Sequence, residues 1–332
     1  MDLGHRRTDI ELAALEKRIA KLYQEASEEM QGKVERYFAD FVGLDARQRK
    51  ALEAGEITEL QYTQWRLAQI GRGKRFVTLQ NQLAERYTKA NAVAVAYIND
   101  TTPGIYCLNR NYTAYTIERV NGNVGFTLWD EQTVKRMAVE QPDVMPYYPP
   151  KRALQRGIDL AWGKRQISAQ VTSGILQGES IAALADRLQT NIPRMNRTSA
   201  VRSARTAVTN AQNAGRQDAF EQAANMGIKV YKRWVATKDG RTRHEHGKAD
   251  GQIVPHDQPF DIGGEKLMFP GINTGSPWNI YNCRCRMRTV EKPGIEAEKR
   301  QMRVRDPATG RNILVDEMTY TEWEEWVKNR GC

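Results

Sequence analysis

Residues 234–285 open on Trp234-Val235-Ala236-Thr237-Lys238-Asp239-Gly240-Arg241-Thr242-Arg243-His244-Glu245-His246 and close on Asn282-Cys283-Arg284-Cys285. The entry into this stretch, Ile228 to Ala236, alternates with the period of a strand and carries Tyr231 and Trp234. Gly, Pro and polar residues then dominate as far as Val290, which reads as short strands joined by turns. Almost everything before Gly227 instead follows helical spacing. The predicted class is therefore α+β: mostly helical N-terminal and central blocks, followed by a small β/loop-rich C-terminal module.

Outward from that module the chain divides into five regions. Residues 1–100 form an N-terminal helical region. Leu12, Leu15, Ile19, Leu22, Ala26, Met30, Val34, Tyr37 and Phe41 recur at spacings of three and four, one apolar stripe on a long helix. Thr8-Asp9-Ile10-Glu11 predicts a capping box at its start. Glu56 to Ile70 and Phe76 to Asp100 predict two more helices, separated by Gly71-Arg72-Gly73. Residues 101–148 are expected to be a small hairpin-containing insert and linker. Thr102-Pro103-Gly104 is turn chemistry, Tyr106 to Asn109 and Tyr115 to Val120 favour strands, and Asn121-Gly122-Asn123 is a hairpin-type turn. A short helix is predicted from Asp130 to Val139. Residues 149–227 predict a central helical region, broken at Gly163, Gly174, Gly178 and Ile192-Pro193 and ended by Gly227. Residues 228–292 are the β/loop-rich module and 293–332 a C-terminal tail, where Thr319 to Val327 suggests a terminal helix.

The 332 residues carry a formal charge of +10, with 40% hydrophobic and 27% charged residues. That composition supports a packed core and argues against wholesale disorder. No run of about 18 apolar residues predicts a membrane span, and the first residues lack the apolar core of a secretory signal. Between Arg194 and Arg243 stand eleven Lys or Arg against three Asp or Glu, so this stretch concentrates the positive charge. Arg194, Arg197, Arg202, Arg205 and Arg216 on or near the last long helix are the candidate DNA contacts. With few aromatics beside them, phosphate contact without sequence readout is the expected mode. A solvated basic face is the simpler alternative.

Four cysteines, Cys107, Cys283, Cys285 and Cys332, do not make a disulfide framework. His244, His246 and His256 lie in one short window, and His-x-His with Cys-x-Cys could supply four zinc ligands. Equally, Cys283 and Cys285 can be small buried residues on a closing strand, with His246 bonded to Asp239 or a backbone carbonyl. An enzyme is a further reading: His246 with Asp239 or Asp250 as general base, and Arg241 or Arg243 on a phosphate, as in a nuclease or transferase. No Gly-rich phosphate loop, paired-carboxylate spacing or nucleophile elbow accompanies these residues.

Taken in order, the residues resemble the Mu F-like head morphogenesis family of tailed phages, also called minor head or minor capsid proteins. The resemblance rests on Arg205-Thr206, Trp234, Thr237, Asp239, Thr242-Arg243 with His246, Asp250-Gly251, Pro270-Gly271, and Asn282-Cys283-Arg284-Cys285. His244 occupies a position this pattern leaves free, and Ile272 follows Pro270-Gly271 where an acidic residue is usual. The motif core covers about Val201 to Val290. The resemblance implies a structural, non-enzymatic protein of the virion, made in the host cytoplasm and placed inside the capsid near the portal. Its implied partners are the portal protein, phage DNA and a major capsid or scaffolding protein, with no membrane. No cofactor is required, with zinc at His246, Cys283 and Cys285 as the one candidate. The implied role is in head assembly, genome packaging or genome delivery.

Overall fold

The computed structural model describes residues 2–121, 125–140, 159–237, 239, 241–290, 301–305, 312–316 and 325. The predicted class is what the chain adopts: long helices, then a few short antiparallel strands. The helices are α1 (Leu3–Glu53), α2 (Glu59–Gln69), α3 (Lys74–Asn121), α4 (Glu131–Glu140), α5 (Leu160–Leu176) and α6 (Ile181–Asp186). A π turn (Arg187–Asn191) leads into α7 (Ile192–Asn225). The strands are β1 (Tyr231–Val235), β2 (Ile253–Pro255), β3 (Phe260–Ile262), β4 (Glu265–Leu267), β5 (Arg286–Val290), β6 (Gln301–Arg305) and β7 (Asn312–Asp316). Two short helical turns, α8 (His244–Lys248) and α9 (Pro277–Ile280), sit between them.

The chain forms two compact units, one of residues 1–15, 98–150 and 202–332, the other of 16–97 and 151–201. They interleave in sequence. In the second unit the predicted stripe of α1 is buried through Ile19, Ala26, Met30, Val34, Tyr37 and Phe41, joined by Tyr23 and Phe38. Phe76, Leu79, Leu83 and Tyr87 of α3 and Ile167, Val171 and Ile175 of α5 share this core. Thr58 and Gln61 cap α2 reciprocally. Ser180 caps α6 by accepting the Ala183 N–H at 3.2 Å.

Several local expectations fail for identifiable reasons. The capping box at Thr8 does not form, because α1 starts earlier and Asp2 accepts the His5 N–H. Thr8 lies inside the helix and donates to the Gly4 carbonyl at 2.8 Å. The hairpin expected within 101–148 is absent from the described residues. Helix α3 continues past Pro103 through Asn121 instead. The reason is a second periodicity in the same residues: Ile105, Tyr106, Asn109, Arg110, Thr113, Ala114 and Ile117 are all buried, one helical face. Packing of that face overrides their strand preference. Gly122 and Asn123 of the expected turn lie outside the described residues, as does the Pro-rich stretch 141–150. Gly163 and Gly174 do not break α5. Gly174 lets it run close to α6, since a Cβ there would lie 2.5 Å from Leu184 Cδ2. In the tail, β6 and β7 pair antiparallel, and Thr319 to Val327 lies almost wholly outside the described residues.

The first unit holds the module. Helix α7 is buried on nearly every side from Ser203 to Phe220, which makes it the unit's central helix. It packs tightly on α3 at Gly215, where a Cβ would collide with the Tyr106 carbonyl oxygen. Strands β2, β1 and β5 make an antiparallel sheet in that order, with Trp234 opposite Met287. Strands β3 and β4 form a hairpin around Gly263-Gly264, both at positive φ.

Candidate functional site

The residues singled out from sequence converge, but mostly on the protein's own backbone. Thr206, Thr209, Asn210 and Asn213 lie on one face of α7, at the spacing of consecutive helical turns. Thr209 Oγ1 donates to the Cys283 carbonyl at 2.6 Å and Asn210 Nδ2 to the Gly271 carbonyl at 2.6 Å. Asn213 Nδ2 reaches the carbonyls of Pro270 at 3.0 Å and Cys285 at 3.2 Å, while its Oδ1 accepts the Met287 N–H at 2.9 Å. Thr206 Oγ1 accepts the Asn282 N–H at 2.9 Å. This face therefore clasps both Pro270-Gly271 and Asn282-Cys283-Arg284-Cys285. Gly271 has φ +81, and a Cβ there would meet Thr209 Cγ2 at 3.1 Å. Asn282 is the one described non-glycine at positive φ, a conformation that Asn tolerates best after Gly.

The other motif residues tie the loops between strands. Arg284 Nη2 donates to Asp239 Oδ1 at 2.7 Å, and the Arg241 N–H donates to the same oxygen at 3.0 Å. The Arg284 guanidinium holds the Asp239 carboxyl well below the usual carboxylate range. Thr242 bonds the Thr237 carbonyl, and Thr237 Oγ1 donates to the Arg284 carbonyl at 2.8 Å. Arg243 reaches the Tyr281 carbonyl at 2.5 Å. Asp250 Oδ1 accepts the Ala236 N–H at 3.0 Å, and Gly251, at φ +83, donates to the Trp234 carbonyl. Trp234 is fully buried, edge-on to His246 and Phe260.

His246, Cys283 and Cys285 meet in this core, each at most 3% exposed. His246 Nδ1 lies 3.3 Å from Cys285 Sγ and 3.6 Å from Cys283 Sγ, and its Nε2 lies 3.3 Å from Asn279 Oδ1. The Asn279 amide donates in turn to the Glu265 carboxylate, which also accepts Ser276 Oγ–H at 2.8 Å. Partial burial alone would raise Glu265; the hydrogen bonds from Asn279 and Ser276 hold it below its usual value. Contact with Cys285 holds Cys283 below the usual thiol range, while the same contact and burial push Cys285 up.

Of the sequence alternatives, His244 does not join the cluster: its side chain is 77% exposed and faces Glu245. A four-ligand His-x-His, Cys-x-Cys site is thus corrected to three residues. His246 bonds neither Asp239 nor a backbone carbonyl, because Cys285 and Asn279 occupy its two ring nitrogens. The His/Arg/Asp catalytic grouping also does not assemble. His246 faces thiols, Asp239 faces Arg284, and Arg243 faces the backbone of Tyr281.

The arginine candidates divide as well. Arg194 and Arg197 are exposed in one unit, and Arg202 is exposed and Arg205 half-buried in the other. Arg216 is buried: its guanidinium donates to Asp2 Oδ1 at 2.8 Å and to Asn109 Oδ1 at 3.1 Å, so it is corrected to a core residue. Sequence reading missed a different pair. Exposed Arg233 and Arg288 stand directly opposite each other on β1 and β5, lining a shallow cleft with Val235 and Asp250. Strand alternation puts Arg233 and Arg288 on the outer face, and only the β1–β5 register pairs them.

Residues 165–288 match the family model described as Phage Mu protein F like protein. Minor head protein GP7 of Bacillus phage SPP1 is 29% identical over 238 residues, 70% of this chain and 72% of that one. The NAD(+)–arginine ADP-ribosyltransferase EFV of Enterococcus faecalis is 29% identical over 167 residues, half of this chain but 32% of its own. No solved structure matches. The family match spans α5 to β5 and so takes in the whole clasp between α7 and the closing Asn-Cys-Arg-Cys: over residues 165–288 the chain is similar to the Mu F-like proteins of phage heads.

Proposed function

We propose that this chain is a structural minor head protein of a tailed phage. In this reading it resides in the virion near the portal, contacts packaged DNA without sequence preference, and assists head assembly, genome packaging or delivery. Likeness to a minor head protein over most of both chains supports the structural role. So does the site itself: the motif residues are spent on holding α7 against the strand module, and His246 is sealed inside it. No helix among the described residues is long and apolar enough to cross a membrane.

One observation supports the DNA contact. Like charges directly opposite on neighbouring strands repel, yet Arg233 and Arg288 face each other on the exposed side of the sheet. Asp250 at the same cleft offsets part of that repulsion, and a phosphate seated across the two arginines would offset the remainder, with Arg202 adding charge in the same unit. The portal protein, and a scaffolding or major capsid protein, are the partners this reading requires.

Two measurements test it. Co-expressed with the portal and scaffold of its own phage, the chain should sediment with proheads; its absence from them would overturn the structural role. Purified, it should retard double-stranded DNA of unrelated sequences equally, with affinity falling steeply as salt rises. No retardation at about 50 mM salt, where such binding is strong, would remove DNA from the reading and leave the head role standing.

A further inference from the structure

His246, Cys283 and Cys285 bring three metal-ligating side chains together in the core. As hydrogen-bonding groups the three are only weakly matched, because thiols are poor donors and acceptors. Asn279 donates its amide to Glu265, a carboxylate that only accepts, so its Oδ1 is what faces His246 Nε2. Nε2 therefore carries the ring proton and Nδ1 presents a lone pair. That single lone pair faces two thiols, 3.3 Å and 3.6 Å away, and can accept from only one of them, which leaves the other to the weak acceptor of the neighbouring sulfur.

A metal ion would engage all three donor atoms at once. Zinc–sulfur bonds of about 2.3 Å and zinc–nitrogen bonds of about 2.0 Å, at tetrahedral angles, put sulfur and nitrogen about 3.5 Å apart. The two observed separations bracket that value, and the three ligand atoms lie within 4.8 Å of one another. The rest of the setting suits a metal too. Ligating histidines commonly donate their second ring N–H to a fixed acceptor, which sets tautomer and ring orientation. Here Asn279 is that acceptor and is itself anchored by Glu265 and, through it, by Ser276. Trp234 packs edge-on against the imidazole at 5.6 Å between ring centres. Two thiolates with an imidazole form a soft donor set, which favours zinc over calcium or magnesium.

We propose that His246 Nδ1, Cys283 Sγ and Cys285 Sγ bind a zinc ion as its three protein ligands. On binding, the two thiols lose their protons to solvent and the ion carries the resulting charge. The ion would lock α8, on which His246 sits, to the turn that enters β5. It adds to the clasp made by α7 and does not depend on the head-protein reading.

The test is metal analysis of the full chain, purified without chelators or a metal-affinity tag. About one zinc per chain is expected, lost in Cys283→Ser, Cys285→Ser and His246→Gln and kept in His244→Ala and Cys107→Ser. Asn279→Ala should weaken zinc binding by about 10–100-fold, as loss of an orienting partner does elsewhere. Because a ligand variant that fails to fold would also lose zinc, cobalt(II) added to the metal-stripped wild type gives a second readout: an intense thiolate-to-cobalt charge-transfer band together with tetrahedral d–d bands. Wild type without zinc and without that band overturns the proposal. Zinc that survives both cysteine substitutions also overturns it, by placing the ion elsewhere. Prohead association can pass or fail independently of either result.

Discussion

Asn213 and Met287 lie 74 residues apart and are joined by a 2.9 Å hydrogen bond, the Met287 N–H donating to Asn213 Oδ1. The Nδ2 of the same side chain donates to the carbonyls of Thr209, Pro270 and Cys285. One buried amide thus satisfies the backbone at the helix, at the Pro-Gly turn and on both sides of the entry to β5. Asn213→Leu keeps the approximate volume and removes every one of these partners. Each buried group left unsatisfied costs about 1–3 kcal/mol. We expect the first unit's unfolding transition to lose about 3 kcal/mol or more, read by calorimetry or hydrogen exchange of the β1 and β5 amides. A loss under about 1 kcal/mol, the net worth of one ordinary hydrogen bond, would show that the clasp is incidental.

Gly271 and Gly264 separate backbone strain from close approach. Both have positive φ, +81 and +89. A Cβ on Gly264 meets nothing within 4 Å, whereas one on Gly271 meets Thr209 Cγ2 at 3.1 Å and the Asn210 backbone nitrogen at 3.2 Å. Gly264→Ala should cost about 1–2 kcal/mol, the left-handed penalty alone. Gly271→Ala should cost more than that, because the helix must move. Equal losses in the two variants would mean that α7 yields freely at this point.

Lys232 is fully buried on β1, its Nζ donating to the Met268 carbonyl at 2.8 Å and to Gln217 Oε1 at 3.1 Å. Burial lowers its pKa to about 7, against weaker opposing pulls from Glu221 and Asp257. The unfolded lysine keeps its ordinary value, so between about pH 7 and pH 10 the unfolded chain binds more protons than the folded one. This group's contribution therefore makes the unit more stable as pH rises through that window. Lys232→Met removes the titration. Subtracting the variant's stability curve from that of wild type should leave a positive slope from about pH 7 to 10, and a flat difference would show that Lys232 stays charged in the fold.

Much of this is legible in the sequence, and the misses share a physical origin. The stripe on α1 is readable because its residues are buried on one side only, so periodicity and burial coincide. Tyr106 to Asn109 and Tyr115 to Val120 read as strand-prone yet fold as helix, because Tyr, Val and Thr serve equally well on a buried helix face, and only the packing partner decides. At the site, the family resemblance singles out Arg205-Thr206, Asp239, His246 and the closing cysteines. It does not reveal that Asn213 and Thr209 bind backbone, since a carbonyl partner leaves no trace in residue identity. Nor does it reveal Asn279, one polar residue among many in a turn-rich stretch. Arg216 shows the converse limit, a charge counted toward a surface and found paired with Asp2 inside the unit.

That limit sharpens the DNA prediction. Replacing both exposed sheet arginines, Arg233→Gln with Arg288→Gln, should leave folding intact and weaken binding to all sequences alike. If each meets one phosphate, the slope of log affinity against log salt should fall by about 2 in magnitude. Arg216→Gln should behave oppositely. It leaves the Asp2 carboxylate without its guanidinium partner inside the fold, so stability falls. The salt slope of whatever protein remains folded should not change. Were Arg216→Gln to lower the slope while the sheet pair did not, DNA contact would have to lie along α7, and the side of the molecule assigned to the genome would be wrong.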